Sequence, residues 1–184
     1  MMKKIVIGIV SLATAFTLSA CAGDDNEASK HENIEMDHSG MSHSSTGEVP
    51  ESLKVADNPT YEIGDQVILK TDHMEGMKNA EATIVGAYDT TAYIISYTPT
   101  TGGDRVENHK WVIEEEFKDA GDKILEPGTK LTLEADHMAG MTGATADIDS
   151  AEITTVYMVD YTPTSGGEIV KNHKWVTESE LSKK

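Results

Sequence analysis

The sequence predicts an all-β protein in which two small barrels stand in tandem behind an exported N-terminal segment. A stretch of 57 residues occurs twice, at 62–118 and 126–182, and 29 of the aligned positions are identical. Such a repeat sets the number of folded units. Apolar and polar residues alternate within each copy, which is the pattern of half-buried strands. The remaining apolar run, 16 residues near the N-terminus, is shorter than the ~20 residues that a membrane-spanning helix needs.

The first segment, residues 1–20, is predicted to be a secretory signal peptide. Lys3 and Lys4 precede the apolar run, in the order that such signals show. The run ends in Leu-Ser-Ala-Cys, which resembles the signal box of bacterial lipoproteins. That resemblance implies that Cys21, the only cysteine of the sequence, carries a diacylglycerol and fatty acyl (palmitate) chains. We therefore expect a lipid anchor on the extracellular face of the bacterial cytoplasmic membrane. The alternative is an ordinary signal peptide with a chance cysteine.

The second segment, residues 21–59, is predicted to be a disordered tether, since it is polar and contains no aromatic residue. Two methionines and two histidines lie within eight positions of it: Met36, His38, Met41 and His43. Two interpretations stay open, a loose metal-capturing tract and a polar linker of biased composition.

The repeats at 60–119 and 120–184 are predicted to form one barrel each. In the first copy the pairs Val67/Leu69, Ala82/Ile84 and Tyr93/Ile95 each recur at a spacing of two, which places each pair on one face of a strand. Turns rich in Gly and Pro separate these segments. Four to five short strands favour a small closed barrel, and the order of parts resembles the SH3-like barrels of the Tudor and KOW type. Because so small a domain is marginal alone, the two should pack together.

Three blocks are shared by the copies. Asp-His-Met-x-Gly-Met occurs at 72–77 and 136–141, Tyr-Thr-Pro-Thr-x-Gly-Gly at 97–103 and 161–167, and Asn-His-Lys-Trp-Val at 108–112 and 172–176. With the signal box and the His/Met tether, these blocks resemble the YdhK family of bacterial lipoproteins. That family is defined by a duplicated domain of unknown function. The resemblance implies the location and the duplication, and it implies no activity.

Imidazole and thioether groups in the first block suggest a site for soft metal ions, Cu(I) or Ag(I). A helical turn at Gly76 would bring His73, Met74 and Met77 to one face, and His109 would complete the site from the last strand. The candidate ligands of the two copies are His73, Met74, Met77, His109, His137, Met138, Met141 and His173. The alternative is that the methionines fill the ends of the barrels and the histidines bond nearby carbonyls.

A second functional hypothesis is an aromatic groove that binds an envelope peptide, glycan or protein. Its residues would be Tyr97, Trp111, Tyr161 and Trp175. The opposing interpretation is that these aromatics form the cores, since few other large side chains are available.

Catalysis is not expected, because the sequence carries no Gly-x-Ser-x-Gly, His-Glu-x-x-His or phosphate-loop motif. A net charge of −17 argues against nucleic acid as a partner. The sequence therefore predicts a non-enzymatic, lipid-anchored binding protein.

Overall fold

A computed structural model describes residues 44–121 and 123–184. The predicted signal peptide, the lipidation site Cys21 and the tether residues Met36, His38, Met41 and His43 lie outside these described residues. Within the described part of the chain, no helix is long and apolar enough to cross a membrane.

The described chain is all-β, as predicted, and its eight strands join in one open antiparallel sheet. Two 3-10 turns, Glu114–Glu116 and Glu178–Glu180, are the helical elements of the described residues. The strands are β1 Lys54–Val55, β2 Gln66–Leu69, β3 Glu81–Tyr97, β4 Val106–Ile113, β5 Lys130–Thr132, β6 Thr145–Tyr161, β7 Val170–Thr177 and β8 Leu181–Lys183.

The two longest strands, β3 and β6, are equivalent parts of the two repeats and pair along their whole length. At the centre of this ladder Thr90 pairs with its own counterpart, Thr154, so the repeats are related by a pseudo-twofold axis through that pair. Each strand carries one extra residue at a register shift, Val85 in β3 and its counterpart Asp149 in β6. Such bulges bend a strand and exchange the faces of the residues that follow.

Each core takes its residues from both repeats. The first core joins Val67, Leu69 and Ile84 of the first copy to Tyr157 and Val159 of the second. In the second core the roles of the copies are exchanged: the first copy supplies Tyr93 and Ile95, and the second supplies Leu133, Ala146 and Ile148. Strand β8 also pairs with β2, so the end of the second repeat pairs with the start of the first.

The prediction of two tandem SH3-like barrels is therefore not confirmed. The sequence pattern suggested separate short strands at 80–84 and 93–97, whereas the structure has one strand of 17 residues there. The two halves of that strand bury their side chains in different cores. A repeat cannot close on itself when its central strand runs on into the other half of the molecule.

The predicted disorder of the tether is wrong for residues 44–59. Strand β1 pairs with β3, and Leu53 is 7% exposed in a third cluster that contains both tryptophans. Val49 packs partly buried against the same cluster. The average composition of the segment concealed these few apolar side chains, which bury enough surface to order this end of it.

Candidate functional site

The first and third shared blocks of both repeats meet at one cavity of about 630 Å³. Equivalent residues of both copies line it, Asp72 to Met74 of the first and Asp136 to Met138 of the second. Four histidines and two methionines belong to its wall: His73, His109, His137, His173, Met74 and Met138. The sequence predicted two separate sites, one for each copy, and the structure combines them at a single place.

The Asp-His-Met-x-Gly-Met block forms a tight turn in both copies, and the predicted helical turn is absent from it. In the first copy the Met77 amide donates to the Met74 carbonyl at 3.1 Å, and Gly76 has a φ of +74°, which favours glycine. The turn points Met77 into the first core, where its side chain is fully buried. Met141 is equally buried in the second core.

Met77 and Met141, which the sequence placed with the candidate ligands, therefore do not line the cavity. They fill the cores, as the alternative interpretation had it. The residues of the block that do line the cavity are the aspartate, the histidine and the first methionine of each copy.

The Tyr-Thr-Pro-Thr-x-Gly-Gly block of each repeat clamps the turn of the other. The Thr164 amide donates to the Gly76 carbonyl at 2.8 Å, and in the other half the Thr100 amide donates to the Gly140 carbonyl at 2.9 Å. A Cβ at Gly76 would lie 2.4 Å from the Ser165 Oγ. The cavity-lining turns are thus held in place by a segment 88 residues away in the chain, as the Thr164–Gly76 contact shows.

The Asn-His-Lys-Trp-Val block contributes His109 and His173. Asn108 adopts a left-handed φ of +54°, which asparagine tolerates better than most residues. The His109 ring lies 6.4 Å from the His137 ring, centroid to centroid, so the last strand of the first copy meets the first block of the second copy. The sequence had paired His109 with His73 instead.

The sulfur of Met138 is held by a hydrogen bond. The Tyr97 hydroxyl donates to the Met138 Sδ at 3.9 Å. Burial raises the pKa of Tyr97, which keeps the hydroxyl protonated and able to donate.

Two glutamates hold the histidines of the first block: Glu116 is buried and Glu180 is partly buried. Glu180 Oε1 accepts a hydrogen bond from His73 Nε2 at 2.7 Å, and Glu116 Oε1 accepts one from His137 Nε2 at 2.7 Å. Both bonds cross between the repeats. Burial opposes ionisation of Glu180, but the hydrogen bonds that it accepts from His73, the Thr177 amide and the Trp111 indole lower its pKa to about 2.

The tryptophans donate to the same carboxylates. Trp111 Nε1 lies 2.8 Å from Glu180 Oε2, and Trp175 Nε1 lies 3.1 Å from Glu116 Oε2. Trp111 is 5% exposed and Trp175 is fully buried. Tyr97 and Tyr161 are buried as well. The predicted aromatic groove is therefore wrong, since all four of its side chains are core residues.

Charged side chains of both signs surround the histidines. Asp72, Asp136 and Glu107 line the cavity together with Lys110 and Lys174. Each lysine lies over the neighbouring tryptophan ring, at 5.3 Å for Lys110 and 5.9 Å for Lys174. Within the described residues, no three His, Cys, Asp or Glu side chains stand close enough together to hold a metal ion. Any ion held here would need the thioethers as ligands.

The sequence did not predict Glu116 and Glu180 as partners of the histidines. It also did not predict the N-terminal segment of Ser44, Ser45 and Thr46, which lines the cavity. Ser45 is bonded to strand β7, its amide donating to the Lys171 carbonyl at 3.0 Å. The one signal for the glutamates was that 116 and 180 are both Glu at equivalent positions of the repeats. Nothing in the sequence connects either of them to a histidine of the opposite copy.

The fold and the site define a class of protein: a duplicated all-β chain whose two interleaved copies enclose a cavity lined by His and Met. The chain belongs to the DUF1541 family, described as a protein of unknown function, which matches residues 63–114 and 127–178. This confirms the predicted family.

Similar proteins support the same family assignment. The chain is 60% identical over 185 residues to the uncharacterized protein YdhK of Bacillus subtilis strain 168, a match covering 99% of this chain and 90% of YdhK. A crystal structure of the DUF1541 protein YdhK from that organism is 67% identical, with a TM-score of 0.77 over 80% of this chain and 100% of that one. A solution structure of the YdhK C-terminal domain is 72% identical, with a TM-score of 0.64 over 67% and 93% of the two chains.

Proposed function

We propose that this protein binds soft metal ions, Cu(I) or Ag(I), in the cavity between its interleaved repeats. In this role the protein is non-catalytic. A lipid on Cys21 holds it at the outer face of the bacterial cytoplasmic membrane, where it captures or buffers such ions. The observation that carries it is that the repeated His-Met pairs, His73-Met74 and His137-Met138, line one cavity together with two further histidines.

The donor types explain the choice of metal. Thioethers are soft ligands that select Cu(I) over Zn²⁺ or Ca²⁺, and imidazole binds copper as well. Thioethers also need no deprotonation, and they form no disulfides in an oxidising exterior. The ligand set that we propose is smaller than the sequence predicted, because it omits Met77 and Met141 and keeps Met74 and Met138.

The arrangement of the wall supports binding by mixed His and Met ligands. The His109 and His137 rings lie 6.4 Å apart, centroid to centroid. Met138 lines the same cavity, and its sulfur accepts a hydrogen bond from the Tyr97 hydroxyl. The acidic residues of the rim, Asp72, Asp136 and Glu107, attract cations toward the mouth.

A titration with Ag(I), or with Cu(I) under anaerobic conditions, tests the proposal with a matched pair of variants. The full chain is used with Met36, His38, Met41 and His43 replaced, so that uptake by the tether does not contribute. Met74→Leu with Met138→Leu removes the two cavity thioethers, and Met77→Leu with Met141→Leu makes the same chemical change in the cores.

We expect the cavity variant to lose most of its metal uptake and the core variant to retain it. Circular dichroism shows whether both variants remain folded. Undiminished uptake by the folded cavity variant would refute the proposal, as would equal losses in the two variants.

A further inference from the structure

Glu180 has a complete set of hydrogen-bond donors. Its Oε1 accepts from the Thr71 hydroxyl at 3.1 Å and from His73 Nε2 at 2.7 Å. Its Oε2 accepts from the Trp111 indole at 2.8 Å and from the Thr177 amide at 3.0 Å. An ionised carboxylate accepts about four such bonds and donates none. The proton of the His73–Glu180 bond must therefore sit on Nε2 of the imidazole.

The equivalent site in the other half follows the same rule with one donor fewer. Glu116 accepts from His137 Nε2 at 2.7 Å, from the Trp175 indole at 3.1 Å and from the Ile113 amide at 3.2 Å. The counterpart of Thr71 in the second copy is Ala135, which has no hydroxyl. The His137 pair is buried more deeply than the other, since the Glu116 side chain is 6% exposed and that of Glu180 is 12% exposed.

The second ring nitrogen, Nδ1, indicates the tautomer of each histidine. Nδ1 of His73 and Nδ1 of His137 are buried, and neither has a hydrogen-bond partner among the described residues. A protonated Nδ1 would bury an N–H without an acceptor, which costs about 1–3 kcal/mol. The neutral ring with its proton on Nε2 avoids this, and it leaves a lone pair on Nδ1 in a residue that lines the cavity.

We propose that Glu180 and Glu116 are positioning residues that keep the proton on Nε2 and so present Nδ1 of His73 and His137 as the metal-binding atoms. This inference rests on the proposed function. Metal-binding histidines commonly donate their second N–H to a carboxylate, and loss of that carboxylate typically lowers metal affinity by about 10–100-fold. Each copy of the repeat thus orients the ligand supplied by the other copy.

Nitrogen NMR of the metal-free full chain, labelled in histidine, tests the first step without any metal. Long-range proton–nitrogen correlations identify the tautomer of each ring, and His73→Asn and His137→Asn spectra assign the signals. We expect both rings to carry the proton on Nε2. In Glu180→Gln the His73 signal should shift toward a mixture of tautomers. Glu178→Gln should leave that signal unchanged, because this neighbouring carboxylate accepts from Tyr157 instead.

Addition of Ag(I) tests the second step. The Nδ1 signals of His73 and His137 should move on binding, and Glu180→Gln should weaken binding by about 10–100-fold relative to Glu178→Gln. A proton on Nδ1 in the metal-free protein, or binding through Nε2, overturns the positioning role and leaves the proposed function standing. The expected tautomers in a chain that takes up no Ag(I) or Cu(I) refute the proposed function, and Glu180 then only sets the tautomer of His73.

Discussion

The clamp between the repeats makes a sharp prediction for Gly76→Ala. Gly76 has a φ of +74°, and a Cβ there would lie 2.4 Å from the Ser165 Oγ and 2.9 Å from the Pro163 Cβ. A left-handed alanine costs about 1–2 kcal/mol, and overpacking adds about 1–3 kcal/mol. The free energy of unfolding should therefore fall by about 2–5 kcal/mol. Gly64→Ala is the matched control, since Gly64 has a φ of +97° and nothing within 4 Å of its Cβ position.

Urea unfolding measures both variants in the full chain. Gly64→Ala should lose only the backbone part, about 1–2 kcal/mol. With a urea dependence of about 1–3 kcal/mol/M, the difference between the variants should move the midpoint by roughly 1 M. Ser165→Ala, which removes the nearest atom, should restore part of the stability of Gly76→Ala. Equal losses in Gly76→Ala and Gly64→Ala would refute the packing of one repeat's clamp on the other's turn.

Two further predictions concern the core and pH. Met77→Ala should lower the free energy of unfolding by about 2–5 kcal/mol, because the Met77 side chain is fully buried. Met74→Ala should lower it less. Equal losses in urea unfolding would contradict the assignment of Met77 to the core and Met74 to the cavity. The pKa of Glu180 is lowered from 4.5 to about 2, so its ionised form stabilises the fold above pH 5, and about 3 kcal/mol should be lost as the pH falls through 4.5 toward 2. In Glu180→Gln this loss should be smaller by that amount, while the exposed Glu75→Gln should behave as the unmodified chain, as urea unfolding at several pH values will show.

Local patterns in the sequence identified most of the strands and the faces that they bury. Val67 and Leu69 lie in a core as their spacing predicts, and so do Tyr93, Ile95 and Tyr97. Period-two alternation reports which side of a strand meets a core, and that signal is local. The alternation does not show which of the two cores a strand packs against. The same alternation suits a strand that folds back within its repeat and one that runs on into the other repeat.

The sequence predicted only the part of the candidate site that local motifs reveal. Repeated His-Met pairs marked His73, Met74, His137 and Met138, which do line the cavity. The sequence could not separate Met74 from Met77, because the local pattern does not reveal the turn at Gly76, whose φ is +74°, and the path of that turn decides which methionine enters the core. The partners of the histidines were beyond reach, since the His73–Glu180 bond joins residues 107 positions apart.

Interleaving explains why a duplicated sequence has one candidate site where two were expected. If each repeat had closed on itself, its histidine would have met the glutamate of its own copy, and each unit would have kept a separate set of ligands. In the observed pairing, His73 of the first copy is held by Glu180 of the second, and His137 of the second by Glu116 of the first. The exchange brings both first blocks to the same cavity. Neither copy contains a complete set of oriented side chains, so the cavity depends on the pairing of β3 with β6 along its full length. A substitution that weakens that ladder at Thr90 or Thr154 would act on both halves of the site at once.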